Sequence, residues 1–229
     1  MTDINALLDE LRRTLPLDSM SYTARSAPWD VYEGYVFTLA VQAAAEAGAN
    51  MEFRTVKGVP TRDLVFRTSP GNIWSTRREY THALVSFPGA PELEIHVGVK
   101  VAGASKVAHE CDVLILWAAE AEYCRRHTLL PQIKYCVAAA ECKFYASAPP
   151  LGAARGFEGL CVDLGDLGKE KAVLVTNGQN PTSVTYLQKL KRAWEQNVLP
   201  DTAQANALKV KFRGALRDHV VKYVPGYNI

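Results

Sequence analysis

The N-terminal part of the chain carries hydrophobic residues at helical spacing. Residues 2–14 place their leucines on one side of a short amphipathic helix, and Pro16 ends it. Residues 29–47 show the clearest helical pattern, and Gly48 is a residue type that commonly follows a helix C-terminus. The apolar stripe predicted for this second helix comprises Trp29, Val36, Phe37, Ala40 and Ala44. Glu33 lies on the same stripe, and an acid on the core side of a helix is unusual.

Beyond the second helix the apolar runs become short, which is typical of strands. The predicted strands cover residues 51–56, 64–67, 81–87 and 92–101, two segments around residues 112 and 141, and residues 171–176. Further helices are predicted at residues 118–127, 153–160, 183–196 and 207–221. Strands with helices on both sides of them predict a mixed α/β sandwich. Because there is no internal repeat and no low-complexity linker, residues 28–229 are expected to form one domain after a helical extension at residues 1–27.

Composition narrows the class of protein. A chain of 229 residues with 48% hydrophobic content can bury a sizeable core. Its formal net charge of +2 gives no overall electrostatic argument for a nucleic-acid partner. One stretch is locally basic, and a solvated surface explains it as well as a face that follows phosphates. The basic residues of this stretch are Arg54, Lys57, Arg62, Arg67, Arg77 and Arg78.

Cysteine usage and hydropathy predict where the protein works. Five cysteines without any C-x-x-C spacing favour a reducing compartment over a disulfide framework or a zinc site. No stretch approaches the roughly 20 apolar residues of a transmembrane helix, and the polar N-terminus lacks the features of a signal peptide. We therefore expect a soluble, cytoplasmic protein without a membrane partner.

Two apolar runs contain charged residues that a buried strand ordinarily excludes. The first run reads ECDVLIL and begins at Glu110, and the second reads VAAAECKFY and contains Glu141. Because side chains alternate along a strand, Glu110 and Asp112 are expected to share one face of the first strand. By the same argument, Glu141 and Lys143 share a face of the second. Burying charge without a partner costs several kcal/mol, so such groups are expected to pair or to bind a cation.

Carboxylates from two neighbouring strands and one lysine suit a hard divalent cation, which prefers oxygen ligands. That combination is typical of a metal-dependent phosphodiesterase site, where charge must be neutralised and a water activated. An exposed cross-strand ion pair is the alternative for a single Glu-x-Lys, but the surrounding residues are too apolar for an ordinary edge strand. The chain has no P-loop, no dinucleotide fingerprint and no G-x-S-x-G elbow, which excludes those hydrolase and dehydrogenase classes.

The order of these motifs resembles a known family. Asp112 in one apolar strand and Glu141-x-Lys143 in the next are similar to the motif of the PD-(D/E)XK nuclease superfamily, which has the restriction-endonuclease-like fold. Glu33 on the helix before the sheet resembles the acid of that family's first core helix. The resemblance covers residues 28–195 in the order and character of their elements. It implies a three-layer α/β/α sandwich with a mixed central sheet.

The resemblance also implies a role for each side chain. Asp112 and Glu141 would hold Mg²⁺ or Mn²⁺, with the backbone carbonyl of Cys142 as an extra ligand. Glu33 would complete the ligand shell directly or through a water. Lys143 would orient the attacking water and help to deprotonate it, since it lies two positions after Glu141 on the same strand face.

Several alternatives stay open at this point. The proline of the family's motif is absent, which leaves Glu110 as a rival to Asp112 for the first metal ligand. The resemblance implies hydrolysis of phosphodiester bonds in nucleic acid, with DNA first, by a homodimer or with a recognition or activating partner, as in antiviral defence. A catalytically silent nucleic-acid-binding or scaffolding domain with the same fold is the alternative. Weaker candidates for substrate contact are His109, Gln132, Lys134, Arg155 and Glu158.

Overall fold

A computed structural model describes residues 4–227, and the predicted start of the first helix at residue 2 lies outside them. The helices are α1 (Ile4–Thr14), α2 (Pro28–Glu46), α3 (Ala118–His127), α4 (Leu151–Asp163), α5 (Gly165–Glu170), α6 (Pro181–Lys189) and α7 (Ala203–Val220). The strands are β1 (Ser19–Met20), β2 (Asn50–Thr55), β3 (Asp63–Leu64), β4 (Thr81–Ser86), β5 (Leu93–Ala102), β6 (Ala108–Trp117), β7 (Cys136–Lys143), β8 (Ala172–Thr176) and β9 (Ala193–Glu195). A short 3₁₀ turn, Ile133–Tyr135, leads into β7.

Seven strands form one mixed sheet in the order β2-β4-β5-β6-β7-β8-β9. Neighbours from β2 to β7 run antiparallel, whereas β7, β8 and β9 run parallel to one another. Parallel neighbours need long crossovers, and helices α4 to α6 supply them. Strands β1 and β3 form a separate pair, so the strand predicted at residues 64–67 is reduced to the end of β3. The two charged strands, β6 and β7, are neighbours in the large sheet, an arrangement that the predicted metal site assumed.

Two clusters of buried side chains cover the two faces of the sheet. The larger cluster includes side chains from α1, α2 and α7, and the second includes side chains from α3, α4, α5 and α6. Successive side chains of β8 lie on opposite faces of the sheet. Val173 and Val175 belong to the larger cluster, and Ala172 and Leu174 belong to the second. Helices on both faces of a mixed sheet confirm the predicted α/β class and are compatible with a three-layer sandwich.

Helix α2 crosses the larger cluster and is buried on nearly all sides. Pro28 occupies its first turn, where the missing N–H costs no helical hydrogen bond. Gly48 follows the helix with φ +83°, a conformation that glycine adopts without strain. The prediction that Trp29 belongs to the apolar stripe is wrong, since this side chain is 59% exposed in the first turn, before the helix enters the core. No helix within residues 4–227 combines the length and the hydropathy needed to cross a membrane.

The helix predicted at residues 183–196 is wrong at both ends. Asn180 caps α6, because its side chain accepts a hydrogen bond from the backbone N–H of Ser183 at 3.1 Å. The helix ends at Lys189, and the chain then forms β9, which pairs with β8 through Trp194. A three-residue strand is too short to show alternation in the sequence, so only its pairing with β8 defines it.

Strict alternation fails in the middle of β5 and β6. Val97 and Val113 are paired and belong to the larger cluster. Two residues further along, Val99 and Cys111 are also paired. Alternation would place them on the same face as Val97 and Val113, but they belong to the second cluster. Gly98 lies between the two valines of β5 with φ +62°, a conformation that other residues rarely adopt. The two strands therefore exchange faces together at this level of the sheet.

Gly34 lies where α2 meets Tyr22, and we expect Gly34→Ala to destabilise the protein. A Cβ atom there would lie 2.6 Å from Tyr22 Cε2 and 3.3 Å from Leu11 Cδ2. Tyr22 is held in place, because its ring stacks on Phe66 at 4.6 Å and its hydroxyl donates to the carbonyl of Arg67 at 3.1 Å. Overpacking of this kind costs about 1–3 kcal/mol, which exceeds the roughly 1 kcal/mol by which alanine is favoured over glycine in a helix.

Gly159→Ala is the matched control, since Gly159 lies exposed in α4 and an added Cβ would meet no atom within 4 Å. This variant should gain about 0.5–1 kcal/mol. Chemical denaturation of both variants measures the difference. Equal stabilities for the two variants would contradict the packing described around Tyr22.

Candidate active site

Strands β6 and β7 separate at the residue where the predicted acid of β6 lies. Their ladder ends, within the described residues, at the pair Val113 and Ala140. Beyond it, the backbone N–H of Cys142 donates a hydrogen bond to Asp112 Oδ2 at 2.6 Å. The carbonyl of Cys142 is directed to the same side as its N–H, since the two groups of a strand residue lie on one edge. The carboxylate of Asp112, a residue only 4% exposed, thus accepts the hydrogen bond that a backbone carbonyl of β6 would accept if the ladder continued.

Asp112 lies at the level of the sheet where β5 and β6 exchange faces. The alternation that predicted a shared face for Glu110 and Asp112 is therefore interrupted at Asp112. Cys111 belongs to the second cluster, which directs Glu110 towards the side of α2. A Cβ atom added to Gly98 would lie 3.7 Å from Glu110 Oε1, which places this carboxylate over the exchange of faces.

Lys143 connects the two strands. Its ammonium nitrogen lies 2.6 Å from Glu141 Oε1 and 3.6 Å from Asp112 Oδ2. The prediction that Glu141 and Lys143 share a strand face is confirmed by this contact. The exposure of the three side chains increases from Asp112, which is buried, through Glu141 to Lys143, whose side chain is 34% exposed. Lys143 therefore stands on the solvent side of the two carboxylates.

Two acids from α2 face the same region. Burial, followed by the charges of Asp112 and Glu110, raises the pKa of Glu33 to about 9. Asp30, one helical turn earlier, also acts on Glu33, and burial raises its own pKa. The sequence analysis missed Asp30, although its spacing of three residues from Glu33 places both on one side of the helix. We call Glu33, Glu110, Asp112, Glu141 and Lys143 together the acidic cluster.

Carboxylates outnumber cations in the acidic cluster, and the pKa values reflect this. Burial and the charge of Glu141 raise the pKa of Asp112 to about 7, against the opposing effects of Lys143 and of the Cys142 hydrogen bond. Burial and Glu141 also raise the pKa of Glu110. Burial alone would lower the pKa of Lys143, but Asp112 and Glu141 outweigh it and raise that pKa. The cluster therefore holds more negative charge than its own lysine neutralises.

This donor set fits a hard divalent cation in its chemistry. The side-chain donors are all carboxylate oxygens, which Mg²⁺ and Mn²⁺ prefer, and a cation would relieve the mutual repulsion of Asp112 and its neighbours. The donors are not gathered as closely as in a formed site. Among the residues that the structure describes, no three carboxylates of the cluster place their oxygens within 4.8 Å of one another. The ammonium of Lys143 is bound to the carboxylate of Glu141. The carboxylates of the cluster would therefore have to move closer to one another to share an ion.

Two of the weaker candidates from the sequence, His109 and Glu158, lie in other contacts. The imidazole of His109 hydrogen-bonds to Asp163, a residue of α4 that also accepts from Ser105. Glu158 is paired with Arg192 at 2.6 Å, which attaches α4 to the segment before β9. These are structural contacts within the second helical layer.

The basic stretch is largely neutralised by its own neighbours. Arg54 pairs with Glu52, Lys57 lies 3.3 Å from Glu79, and Arg62 lies 3.1 Å from Asp18. The guanidinium of Arg67 lies 3.7 Å from the centre of the Tyr80 ring. Of the six basic residues in this stretch, only Arg77 and Arg78 are exposed without an ion pair among the described contacts. These pairs favour the solvated surface over a continuous phosphate-binding face.

A second polar group was missed by the sequence analysis. His82, Glu94 and His96 are buried together on β4 and β5, and their ligand atoms lie within 4.8 Å of one another. The signal was present in the sequence as Glu94-x-His96 within an apolar strand. It has the same form as Glu141-x-Lys143.

Comparison of the chain with protein-family models, with curated proteins and with solved structures finds no match in any of the three.

The raised pKa values predict that metal-free protein loses stability as pH rises. Glu33 and Asp112 bind a proton more tightly in the folded protein than in the unfolded chain, so folding takes up protons above the usual carboxyl pKa. The free energy of unfolding should therefore fall between about pH 7 and 9, by up to about 1.4 kcal/mol per pH unit for each proton. Below pH 7 the buried His96 and His219, whose pKa values are lowered, oppose this trend. Above pH 9 the contribution of the two carboxyls is complete, but the buried cysteines, whose pKa values are raised, continue the loss.

Glu33→Gln tests the assignment, because it removes the proton whose pKa is about 9. Urea denaturation in the presence of a chelator should show a shallower decline between pH 7 and 9 for this variant than for the original protein. Identical slopes would place Glu33 outside the acidic cluster.

Asp112 should show a large difference between two substitutions. Asp112→Asn keeps an oxygen that can accept from the Cys142 N–H and removes a buried charge, so at pH 8 it should be at least as stable as the original protein. Asp112→Ala leaves that N–H without an acceptor and should be less stable than the asparagine variant by about 1–3 kcal/mol. Chemical denaturation of both variants measures the difference. Equal stabilities would show that the hydrogen bond contributes nothing.

Proposed function

We propose that this chain is a divalent-metal-dependent nuclease that hydrolyses phosphodiester bonds, with DNA as its preferred substrate and the acidic cluster as its active site. The proposal includes membership of the PD-(D/E)XK nuclease superfamily and its restriction-endonuclease-like sandwich. One observation carries it. Lys143 Nζ lies within 3.6 Å of Asp112 Oδ2 on the neighbouring strand while it contacts Glu141 on its own strand.

That observation supports catalysis because of where the three groups lie. Asp112 and Glu141 are held by adjacent central strands, and side chains on strands are positioned more precisely than side chains on loops. Carboxylates that raise one another's pKa at a sheet centre are more typical of functional sites than of structural ion pairs. A cluster of this kind matches the need of phosphodiester hydrolysis for charge neutralisation and an activated water.

The residues of the chain divide the work of such a site. Mg²⁺ or Mn²⁺, when bound, would supply neutralisation of the phosphate charge and a lower pKa for bound water. Asp112 and Glu141 would hold the ion, with the Cys142 carbonyl directed to the same gap. Glu33 would complete the shell after losing its proton. Lys143 would orient the attacking water and stabilise the hydroxide that forms from it.

Glu110 is the alternative to Asp112 as a ligand. It lies beside the exchange of faces and its pKa responds to Glu141, so it belongs to the same electrostatic unit. Asp112 has the stronger claim, because its carboxylate lies between the two strands and next to Lys143.

DNA, a homodimer and a recognition or activating partner are parts of the proposal that rest on the family resemblance. Within the basic stretch, Arg77 and Arg78 are the exposed residues that remain available for a phosphate contact, because the other four are paired or stacked.

A catalytically silent domain that only binds nucleic acid is the second candidate, and one observation favours it. The ammonium of Lys143 already pairs with Glu141 at 2.6 Å, which partly neutralises the cluster without an ion. In such a domain the cluster would be a structural ion-pair network between β6 and β7.

An assay with four substrates separates the two candidates. Supercoiled plasmid, linear duplex, single-stranded DNA and RNA are incubated with the full chain in Mg²⁺, in Mn²⁺ and in a chelator. We expect metal-dependent cleavage of DNA that is lost in Asp112→Asn and in Glu141→Gln. Binding of nucleic acid without cleavage in either metal would support the silent domain instead.

Lys143→Gln should slow the chemical step by roughly 10²-fold or more, the scale of lost proton-transfer or electrostatic assistance. Metal affinity should hold or rise, because a positive charge has left the neighbourhood of a cation site. Single-turnover cleavage together with a metal titration measures the two effects. Lys169→Gln, which removes an exposed lysine paired with Asp166, is the matched control and should leave both unchanged. Equal losses of metal binding and rate would assign Lys143 to binding.

A further inference from the structure

A second group of metal-binding side chains lies on β4 and β5, on the sheet face opposite α2. The antiparallel register Ala83↔Ile95 brings His82 opposite His96, and their rings stack with centroids 4.9 Å apart. Glu94 lies two positions before His96, on the same face of β5. Three potential ligands therefore project from two paired strands of the central sheet, which fixes their spacing.

The spacing of the three side chains matches that of ligands around one ion. His96 Nε2 lies 2.8 Å from Glu94 Oε2, a hydrogen bond that an ion would replace, and His82 Nε2 lies 3.5 Å from Glu94 Oε1. Donors bound to zinc at about 2.0–2.1 Å in a tetrahedral site are roughly 3.3 Å apart. All three side chains are buried, with exposures of 1%, 5% and 0% for His82, Glu94 and His96.

Arg125 of α3 also binds Glu94, and this contact is compatible with a metal. Its NH1 lies 3.1 Å from Glu94 Oε1, and its NH2 donates to Oε2. Each carboxylate oxygen has two lone pairs, so Arg125 occupies one on each and leaves the other towards the imidazoles. Carboxylates that ligate metals are commonly held by such a hydrogen-bonded group behind them.

Protein groups alone do not complete this network. Within the described residues, His82 Nδ1, His96 Nδ1 and Arg125 Nε are buried without hydrogen-bond partners. A purely structural polar network is expected to satisfy its members, since an unpaired buried polar atom is costly. The polar network is therefore incomplete, although an ion held by the two Nε2 atoms that face Glu94 would not itself contact these three unpaired atoms, so the case for the ion rests on the spacing and type of its ligands.

A cleft gives an ion access to the group. His82 and Glu94 line a cavity of about 430 Å³. Its other charged walls include Arg54, Lys57, Glu92 and Arg126. The basic members are neutralised, because Arg54 pairs with Glu52, Lys57 with Glu79 and Arg126 with Glu122. The number of arginines and lysines therefore overstates the repulsion that a cation would meet.

We propose that His82, Glu94 and His96 bind one Zn²⁺ ion, at a site separate from the acidic cluster and independent of its proposed activity. Two imidazoles and one carboxylate are a donor set that zinc takes, whereas the all-oxygen acidic cluster suits Mg²⁺ or Mn²⁺. The bound ion would tie β4 to β5, and Arg125 would extend that connection to α3.

Calorimetric titration of zinc into chelator-treated full chain tests the site, with millimolar Mg²⁺ present to occupy the acidic cluster. We expect one zinc equivalent per chain. His82→Gln and His96→Gln should each weaken its binding by at least about 100-fold, beyond what loss of a group behind a ligand produces. His109→Gln and Asp112→Asn are the controls and should bind zinc as the original protein does. Absence of zinc binding, or binding unchanged in both glutamine variants, would overturn the proposal.

Two measurements on the unsubstituted protein keep the test decisive if the variants fail to fold. Zinc at 100 times its dissociation constant should raise the melting temperature by roughly 5–10 °C. Cobalt in place of zinc should give intense visible absorption without sulfur charge-transfer bands. An unchanged melting temperature contradicts the site. A spectrum with thiolate bands would place the ion on the free cysteines and would also overturn the proposal.

Discussion

The hydrogen bond between the Cys142 N–H and the Asp112 carboxylate is the interaction on which the centre of this sheet depends. Where β6 and β7 separate, a buried N–H would lose its partner at a cost of about 1–3 kcal/mol. Asp112 supplies the acceptor at 2.6 Å. Because the acceptor is a carboxylate, the contact also places a charge inside the sheet. The strand separation and the buried charge are therefore parts of one structural feature.

The groups around Asp112 do not balance its charge. Lys143 approaches Asp112 to 3.6 Å but binds Glu141 more closely, and Glu33 and Glu110 add further carboxylates. An amide at position 112 could keep the hydrogen bond and avoid the repulsion. A chain that instead keeps the acid gives up stability at this place, which proteins do mainly where function uses the strained group. This argument supports an active site over a structural network.

The sequence predicted the parts of the site that depend on local strand geometry. Glu141 and Lys143 lie two positions apart on one strand, so their shared face followed from the period of two. The neighbouring arrangement of β6 and β7 was an assumption of that argument, which the register of the sheet supplies. The position of Asp112 could not be predicted, because it depends on Gly98 of another strand, where both strands exchange faces. The closeness of His82 to His96 likewise depends on a register set between strands.

Glu94 and Asp112 are both buried acids of the sheet, but their pKa values are shifted in opposite directions. Glu94 and Asp112 are buried almost equally, at 5% and 4% exposure. Burial raises the pKa of Glu94, but hydrogen bonds from His82 and His96 outweigh it and hold that pKa well below its usual range. Asp112 accepts a hydrogen bond from one backbone N–H and has Lys143 at 3.6 Å, but these do not offset burial and the charge of Glu141, and its pKa rises to about 7. The proposed zinc site therefore offers two imidazole nitrogens and one carboxylate, whereas the acidic cluster offers carboxylate side chains alone, and the two donor sets suit different metals.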